Sequence, residues 1–258
     1  MSVETALVTG AGAGTGREYV RMLLADGANV LAVSLLKDEL DDLVAASDPG
    51  DGQLVVKQAD LSEPDAAERL LEWCDEEGHV VDTLINNAGF AIYGPPSEVD
   101  LERVETMIAL NVTTCTKLSV LFARRMKQRG RGRILVMGST AGMAPTPRLG
   151  AYCATKAYTN SFAWSLGAEL RGTGVTVTCV TPGSFQSKFA STADVTGAGL
   201  LGKIYAREKL DAGGVARAGY AAMRKGRATV TVGSAGQLAK VMSRVLPPTL
   251  MARAFKAM

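Results

Sequence analysis

The sequence predicts a doubly wound α/β domain, with a parallel sheet of about seven strands and helices on both faces. Three observations carry that prediction. Apolar runs of strand length alternate with amphipathic stretches along the chain. The first run opens directly into a glycine cluster that leads into a helix. The length of 258 residues, 47% hydrophobic and 5% aromatic, suits one large core and leaves little for a second. Such alternation implies right-handed crossovers, so a ligand should lie across the carboxyl ends of the strands.

The elements follow in order. Residues 3–9 read as a buried strand running into Thr9-Gly10-Ala11-Gly12-Ala13-Gly14-Thr15-Gly16, with a helix over 17–25. Strand, glycine turn and helix make a cradle for dinucleotide phosphates, because glycines let the backbone approach closely and a helix N-terminus favours negative charge. Further strands are expected over 28–33, 53–59, 81–86, 132–137, 175–180 and 228–232. Residues 98–130 read as two long helical segments with Asn111 near the break, ending in a basic last turn over 124–129 that complements the helix dipole. Residues 184–214 are the least regular and read as a mobile lid. Residues 234–258 form a basic amphipathic C-terminal segment, and no repeat or linker divides the 1–258 unit.

Chemistry concentrates in Tyr152 and Lys156. They stand one helical turn apart, downstream of Ser139. An ammonium on the same helix face favours the ionised phenol, which suits proton transfer near neutral pH. The pair alone is unspecific, since an exposed helix face produces the same spacing. A reaction that builds negative charge on a substrate oxygen requires a proton donor and a hydrogen-bond donor there. Tyr152 and Ser139 fill those roles. The single histidine, His79, lies in a polar segment that suits a surface or capping position.

Composition narrows the rest. A net charge of +2 gives no case for nucleic acid. No acid follows Asp211, whereas Arg217, Arg224, Lys225, Arg227, Lys240, Arg244, Arg253 and Lys256 do. These read as solvated helix faces, with peripheral membrane contact by the C-terminus as the alternative. Cys74, Cys115, Cys153 and Cys179 form no metal or redox spacing, so no metal is expected and a reducing, cytoplasmic setting is. No charged leader and no apolar run of membrane-spanning length is visible.

The chain resembles the short-chain dehydrogenase/reductase family over essentially its whole length. Gly10, Gly14 and Gly16 match that family's T-G-x-x-x-G-x-G turn, and Asp60-Leu61, Asn86-Asn87-Ala88-Gly89, Asn111, Ser139, Tyr152, Lys156 and Pro182-Gly183 follow in the family's order. The resemblance implies a Rossmann-like fold and an NAD(P)-dependent oxidoreductase working between a ketone and a secondary alcohol. It implies that Lys156 lowers the Tyr152 pKa and holds the nicotinamide ribose, and that Asn111 holds a water relaying protons to Lys156. Asn111 as a plain helix-break cap is the alternative.

The resemblance also places the cofactor: Gly10, Gly14, Thr15 and Gly16 at the pyrophosphate, Asp60 and Leu61 at the adenine, and Asn87, Ala88 and Gly89 at the ribose and floor. Pro182, Gly183 and Ser187 fall at the nicotinamide. Thr15 replaces the usual isoleucine, which should weaken local packing. Neither usual cofactor marker occurs at Ser34 or Leu35; Ser34 and Lys37 favour NADP(H) over NAD(H), although Lys37 also reads as an ordinary surface residue. Phe90, Ile92, Tyr93, Met143, Phe185 and Phe189 suggest an apolar substrate such as a steroid-, polyketide- or fatty-acyl-like ketone. A homodimer or homotetramer is expected. A non-catalytic nucleotide sensor and an NAD-using epimerase or dehydratase are the other readings.

Overall fold

Aliphatic residues run without polar interruption through the central strands, as a sheet buried on both faces demands. In the computed structural model, which describes residues 3–48, 50, 52–183 and 210–256, these runs become β1 (Thr5–Thr9), β2 (Asn29–Ser34), β3 (Leu54–Gln58), β4 (Thr83–Asn86), β5 (Gly132–Met137), β6 (Val175–Pro182) and β7 (Thr229–Val232). All pair in parallel, in the order β3-β2-β1-β4-β5-β6-β7. The chain winds outward in one direction from β1 and in the other from β4, so the switch point lies between them.

The helices are α1 (Gly14–Ala25), α2 (Lys37–Ala45), α3 (Ala66–Glu76), α4 (Leu101–Ile108), α5 (Cys115–Arg129), α6 (Gly150–Glu169), α7 (Ala212–Arg224), α8 (Ser234–Val245) and α9 (Pro248–Lys256). Strand side chains alternate between two cores. Leu7, Leu31, Leu84 and Ile134 meet Leu70, Leu118, Phe122 and Leu166 of α3, α5 and α6. Ala6, Val8, Val30 and Ala32 meet Tyr19, Leu23, Leu40 and Met223 of α1, α2 and α7. Parallel pairing then brings Gly10, Ser34, Asn87, Ser139 and Gly183 to one edge of the sheet, just past the strands' carboxyl ends.

Two expectations need correction. Residues 98–130 do not break at Asn111: α4 and α5 join through a single π turn, Ala109–Thr114, into one continuous helix. Leu101–Arg129 is long and apolar enough by composition to cross a bilayer, yet Leu118, Phe122 and Met126 are buried in the core, which makes it a core helix. Of the expected lid, residues 184–209 lie outside the described residues, while Ala212 to Gly214 open α7, where the Asp211 carboxylate accepts from the Gly214 N–H at 2.6 Å.

Candidate active site

The glycine turn is tied to the strand beside it. Gly10 sits at φ +63°, in the left-handed region that glycine tolerates. A Cβ on Gly16 would fall on the Gly10 carbonyl oxygen, so the chain can cross itself only without a side chain there. Asn87 clamps the crossing: its Nδ2 donates to the Thr9 and Gly10 carbonyls at 3.0 and 3.2 Å, and its Oδ1 accepts from the Thr15 hydroxyl at 2.7 Å. Thr15 is therefore a polar tie between α1 and the β4 end, where weakened packing was expected. The Thr9 hydroxyl, unnoticed in the sequence, accepts from the Asn87 and Ala88 N–H groups at 3.0 and 3.1 Å. No side chain caps the first N–H groups of α1 at Ala13. A bare helix N-terminus behind a side-chain-free turn fits a dinucleotide diphosphate.

The adenosine end is less decided. Asp60 Oδ1 accepts from the Ser62 N–H at 2.8 Å and from its hydroxyl at 2.6 Å, which fixes the carboxylate's orientation. Leu61 is buried, and its carbonyl accepts from Thr114 at 2.7 Å. Ser34 is buried at the end of β2. Lys37 Nζ pairs with Asp41 at 2.6 Å, and both side chains are exposed.

Helix α6 carries Tyr152, Thr155, Lys156, Thr159 and Asn160 on its buried face. The 3-10 turn Thr140–Met143 packs against it, because a Cβ on Gly142 would fall on the Lys156 carbonyl. Ser139 and Tyr152 thereby meet in a hydrogen bond between their hydroxyls. Lys156 Nζ donates to the Met137 carbonyl at 2.7 Å and lies 6.0 Å from the Tyr152 ring centre. Gly89 leaves room for this: a Cβ there would lie 2.7 Å from Asn111 Oδ1 and 3.7 Å from Lys156 Nζ.

Electrostatics at the pair differ from expectation. Burial pushes the Tyr152 phenol above the usual tyrosine range, and the Ser139 hydrogen bond opposes that rise without cancelling it. Burial pulls Lys156 below the usual lysine range. The expected lowering of the Tyr152 pKa by Lys156 is thus reversed in this arrangement: loss of water dominates, and the ammonium faces the Met137 carbonyl.

Asn111 lies in the π turn, whose wider ring frees a backbone carbonyl. That carbonyl accepts from the Thr159 hydroxyl at 3.2 Å, while the side chain exchanges bonds with the Phe90 backbone at 2.9 and 3.1 Å and donates to Thr155 at 3.2 Å. It therefore braces the Phe90 strap as well as α6, more than a helix-break cap would do.

Asn160 was missed. It is 1% exposed, its Oδ1 accepts from the Ser139 N–H at 3.2 Å and its Nδ2 donates to the Ser139 carbonyl at 2.8 Å. Its spacing of i+8 from Tyr152 and i+4 from Lys156 was the available signal. Asn160→Ala is expected to cost about 2 kcal/mol by orphaning both Ser139 backbone groups, seen as a lower melting temperature together with slower turnover. Unchanged turnover would separate Asn160 from the site.

Phe90, Ile92, Ala141 and Leu149 pack around Ala91, Met107 and Tyr152 in one small apolar cluster. Met143 closes the 3-10 turn. Tyr93 lies under the Arg148 guanidinium at 4.8 Å, and Arg148 itself sits at φ +68°, an arginine near the lining that the sequence did not disclose. Thr140 donates to the Pro182 carbonyl at 3.1 Å, and the Gly183 N–H donates to Val232 at 2.9 Å. Phe185, Ser187 and Phe189 lie outside the described residues. His79 packs edge-on against Trp73 at 5.7 Å, beyond α3 and away from this edge. Among the described residues no cluster of metal-ligating side chains occurs.

Comparison with known proteins agrees with this geometry. The family described as short chain dehydrogenase matches residues 4–196. The chain is 35% identical over 183 residues to the NADP-dependent 3-hydroxy acid dehydrogenase YdfG of Escherichia coli K12, covering 69% of this chain and 71% of that one. A short-chain dehydrogenase from Sphingobium yanoikuyae in complex with NADPH superposes with a TM-score of 0.79 at 27% identity, covering 94% and 93%. The bulky-bulky ketone specific alcohol dehydrogenase from Comamonas testosteroni superposes at 0.77 and 25% identity, covering 95% and 92%. The seven-stranded sheet, the turn at β1 and the shared match over most of the sequence mean that the chain belongs to the short-chain dehydrogenase/reductase family of oxidoreductases.

Proposed function

We propose that the protein transfers hydride between a nicotinamide cofactor and an apolar ketone or secondary alcohol, with Ser139, Tyr152, Lys156 and Asn111 serving the reacting oxygen. The observation that carries this reading is the convergence of the Ser139 and Tyr152 hydroxyls at the edge where the glycine turn would hold the cofactor. Bound nicotinamide supplies the hydride. The Ser139 hydroxyl holds the carbonyl oxygen, and Tyr152 delivers its phenolic proton to that oxygen in reduction and removes it in oxidation. Lys156 holds the nicotinamide ribose and, through a water at Asn111, restores the phenol's proton. Four groups gathered for one proton transfer support an enzyme over a sensor.

The apolar cluster around Tyr152 supports a hydrophobic, bulky substrate, as does the likeness to a bulky-ketone dehydrogenase. A panel of apolar ketones and alcohols, followed by nicotinamide absorbance, tests this; turnover confined to small charged substrates would overturn it. Of the two side chains behind the NADP(H) expectation, Lys37 is held by Asp41, which leaves Ser34 in support. Exposed Ile108, Tyr158 and Trp164 support association of the α4–α5 and α6 helices between copies, as a homodimer or homotetramer. Four buried free thiols support a reducing, cytoplasmic setting. Exposed Leu238, Val241 and Val245 beside Arg244 leave membrane contact by α8 as the other reading of the basic C-terminus.

The raised phenol pKa has a consequence for pH dependence. Oxidation needs the phenolate, so its kcat/KM is expected to climb about tenfold per pH unit from neutral into the alkaline range, while reduction stays flat through neutrality. A rate profile for oxidation that peaks near neutral pH contradicts the assignment.

A further inference from the structure

We propose that Arg148 holds the far end of the substrate, its guanidinium binding a carboxylate carried on the apolar body of the ketone or alcohol. The inference rests on the hydride-transfer reading of Ser139 and Tyr152 and deepens it by naming what the substrate bears beyond its apolar part.

The backbone at Arg148 is the first observation. Its φ of +68° lies in the left-handed region, where a Cβ costs free energy that glycine does not incur. Among the described residues only Asp65 shares that region without being glycine, and aspartate is suited to it by a short polar side chain. An arginine kept there against the cost points to a use for its side chain. The Arg148 carbonyl accepts from the Gly94 N–H at 3.0 Å, which ties this corner to the strap that runs from Phe90. Phe90 and Ile92 of that strap, with Leu149, pack in the apolar cluster around Tyr152. Arg148 is exposed, so it stands at the outer edge of that cluster, four residues before the phenol.

The guanidinium is held in place without being neutralised. It lies over the Tyr93 ring at 4.8 Å, a contact that orients the planar group before any ligand arrives. Among the described residues no carboxylate pairs with it, and none of its five N–H donors has an acceptor. Helix α6 begins two residues later with no side-chain cap and no acid in its first turn, so the field at this corner keeps one sign. A fork of donors on an aromatic platform matches a carboxylate through two parallel hydrogen bonds. A substrate whose reacting oxygen meets Ser139 and Tyr152 therefore runs its apolar part past Ile92 and Leu149 and ends on Arg148.

The test is steady-state kinetics on methyl ketones with about three to eight methylene groups between the carbonyl and a terminal carboxylate, a range that brackets one to two helical turns in length. Each acid is paired with its methyl ester, and both nicotinamides are supplied. Wild type is expected to prefer the acid at least about tenfold in kcat/KM at the best-fitting length. The preference should lie in KM, since a contact remote from the reacting carbon holds ground state and transition state alike. Arg148→Met should bring the acid-to-ester ratio to about one. Arg148→Lys keeps the charge without the fork and should retain part of the preference, and added salt should narrow it in wild type. Arg148→Gly suits φ +68°, so it removes the guanidinium without risk to the fold and should match Arg148→Met. Because the ratio compares two substrates on one enzyme, a general loss of activity divides out. Equal use of acids and esters by wild type, or a preference that survives in Arg148→Met and Arg148→Gly, overturns the inference and leaves the hydride-transfer reading standing. Absence of turnover with every ketone in the series overturns that reading, and the inference with it.

Discussion

Tyr152→Phe is expected to lower turnover by roughly 10²- to 10⁴-fold, the range that positioned proton transfer contributes, while nicotinamide affinity stays within about threefold of wild type. The two readouts separate because the phenol lies at the Ser139 side of the site, in the apolar cluster with Met107 and Ala91, whereas the glycine turn that would hold the diphosphate is built by Asn87, Thr9 and Thr15. Removing one oxygen leaves the ring's packing in place, so the melting temperature should hardly move. Stopped-flow absorbance of the nicotinamide with an apolar ketone measures the loss, and fluorescence titration measures the retained binding. Turnover surviving in Tyr152→Phe would mean that another group carries the proton.

Gly16→Ala is expected to have the next largest effect, and by the opposite route. The added methyl meets backbone, the Gly10 carbonyl, with Asn87 Nδ2 2.8 Å away. Backbone on both sides of a crossing cannot swing aside as a side chain tip can. Overpacking of this kind costs about 1–3 kcal/mol, a fall of roughly 2–4 °C in melting temperature for each kcal/mol in a chain of this size. The turn would also open, taking its N–H groups out of line with a diphosphate. Cofactor affinity should therefore fall at least about tenfold with a visible loss of stability, the reverse of the Tyr152→Phe pattern. Wild-type affinity and stability in Gly16→Ala would show that the crossing is looser than described.

Most of the architecture was legible because local chemistry and tertiary position agreed. Gly132–Met137 was located to the residue, since Arg-Ile-Leu-Val-Met has no rival periodicity and a left-handed Gly130 ends the helix before it. The helix through Asn111 was misjudged for the opposite reason. A π turn keeps the chain helical, and nothing in Ala-Leu-Asn-Val-Thr-Thr distinguishes it from a break. The candidate site followed the same division. Ser139, Tyr152 and Lys156 are brought together as their spacing implied, because strand end and helix face are both set by short-range pattern. Asn160 and Thr15 act through contacts to residues distant along the chain, at separations of 21 residues for Asn160–Ser139 and 72 for Thr15–Asn87, which pattern along the chain does not encode. The direction of the Tyr152 shift escaped for a related reason: burial is a property of the packed site, and it outweighed the charge that the helix spacing advertised.

The most direct measurement is a crystal structure of the chain with oxidised nicotinamide and an apolar secondary alcohol. The account predicts the alcohol oxygen within about 2.6–3.2 Å of both the Tyr152 and Ser139 hydroxyls, with its carbinol carbon facing the nicotinamide ring. An alcohol oxygen held by other groups, with the phenol turned away from it, would contradict the account.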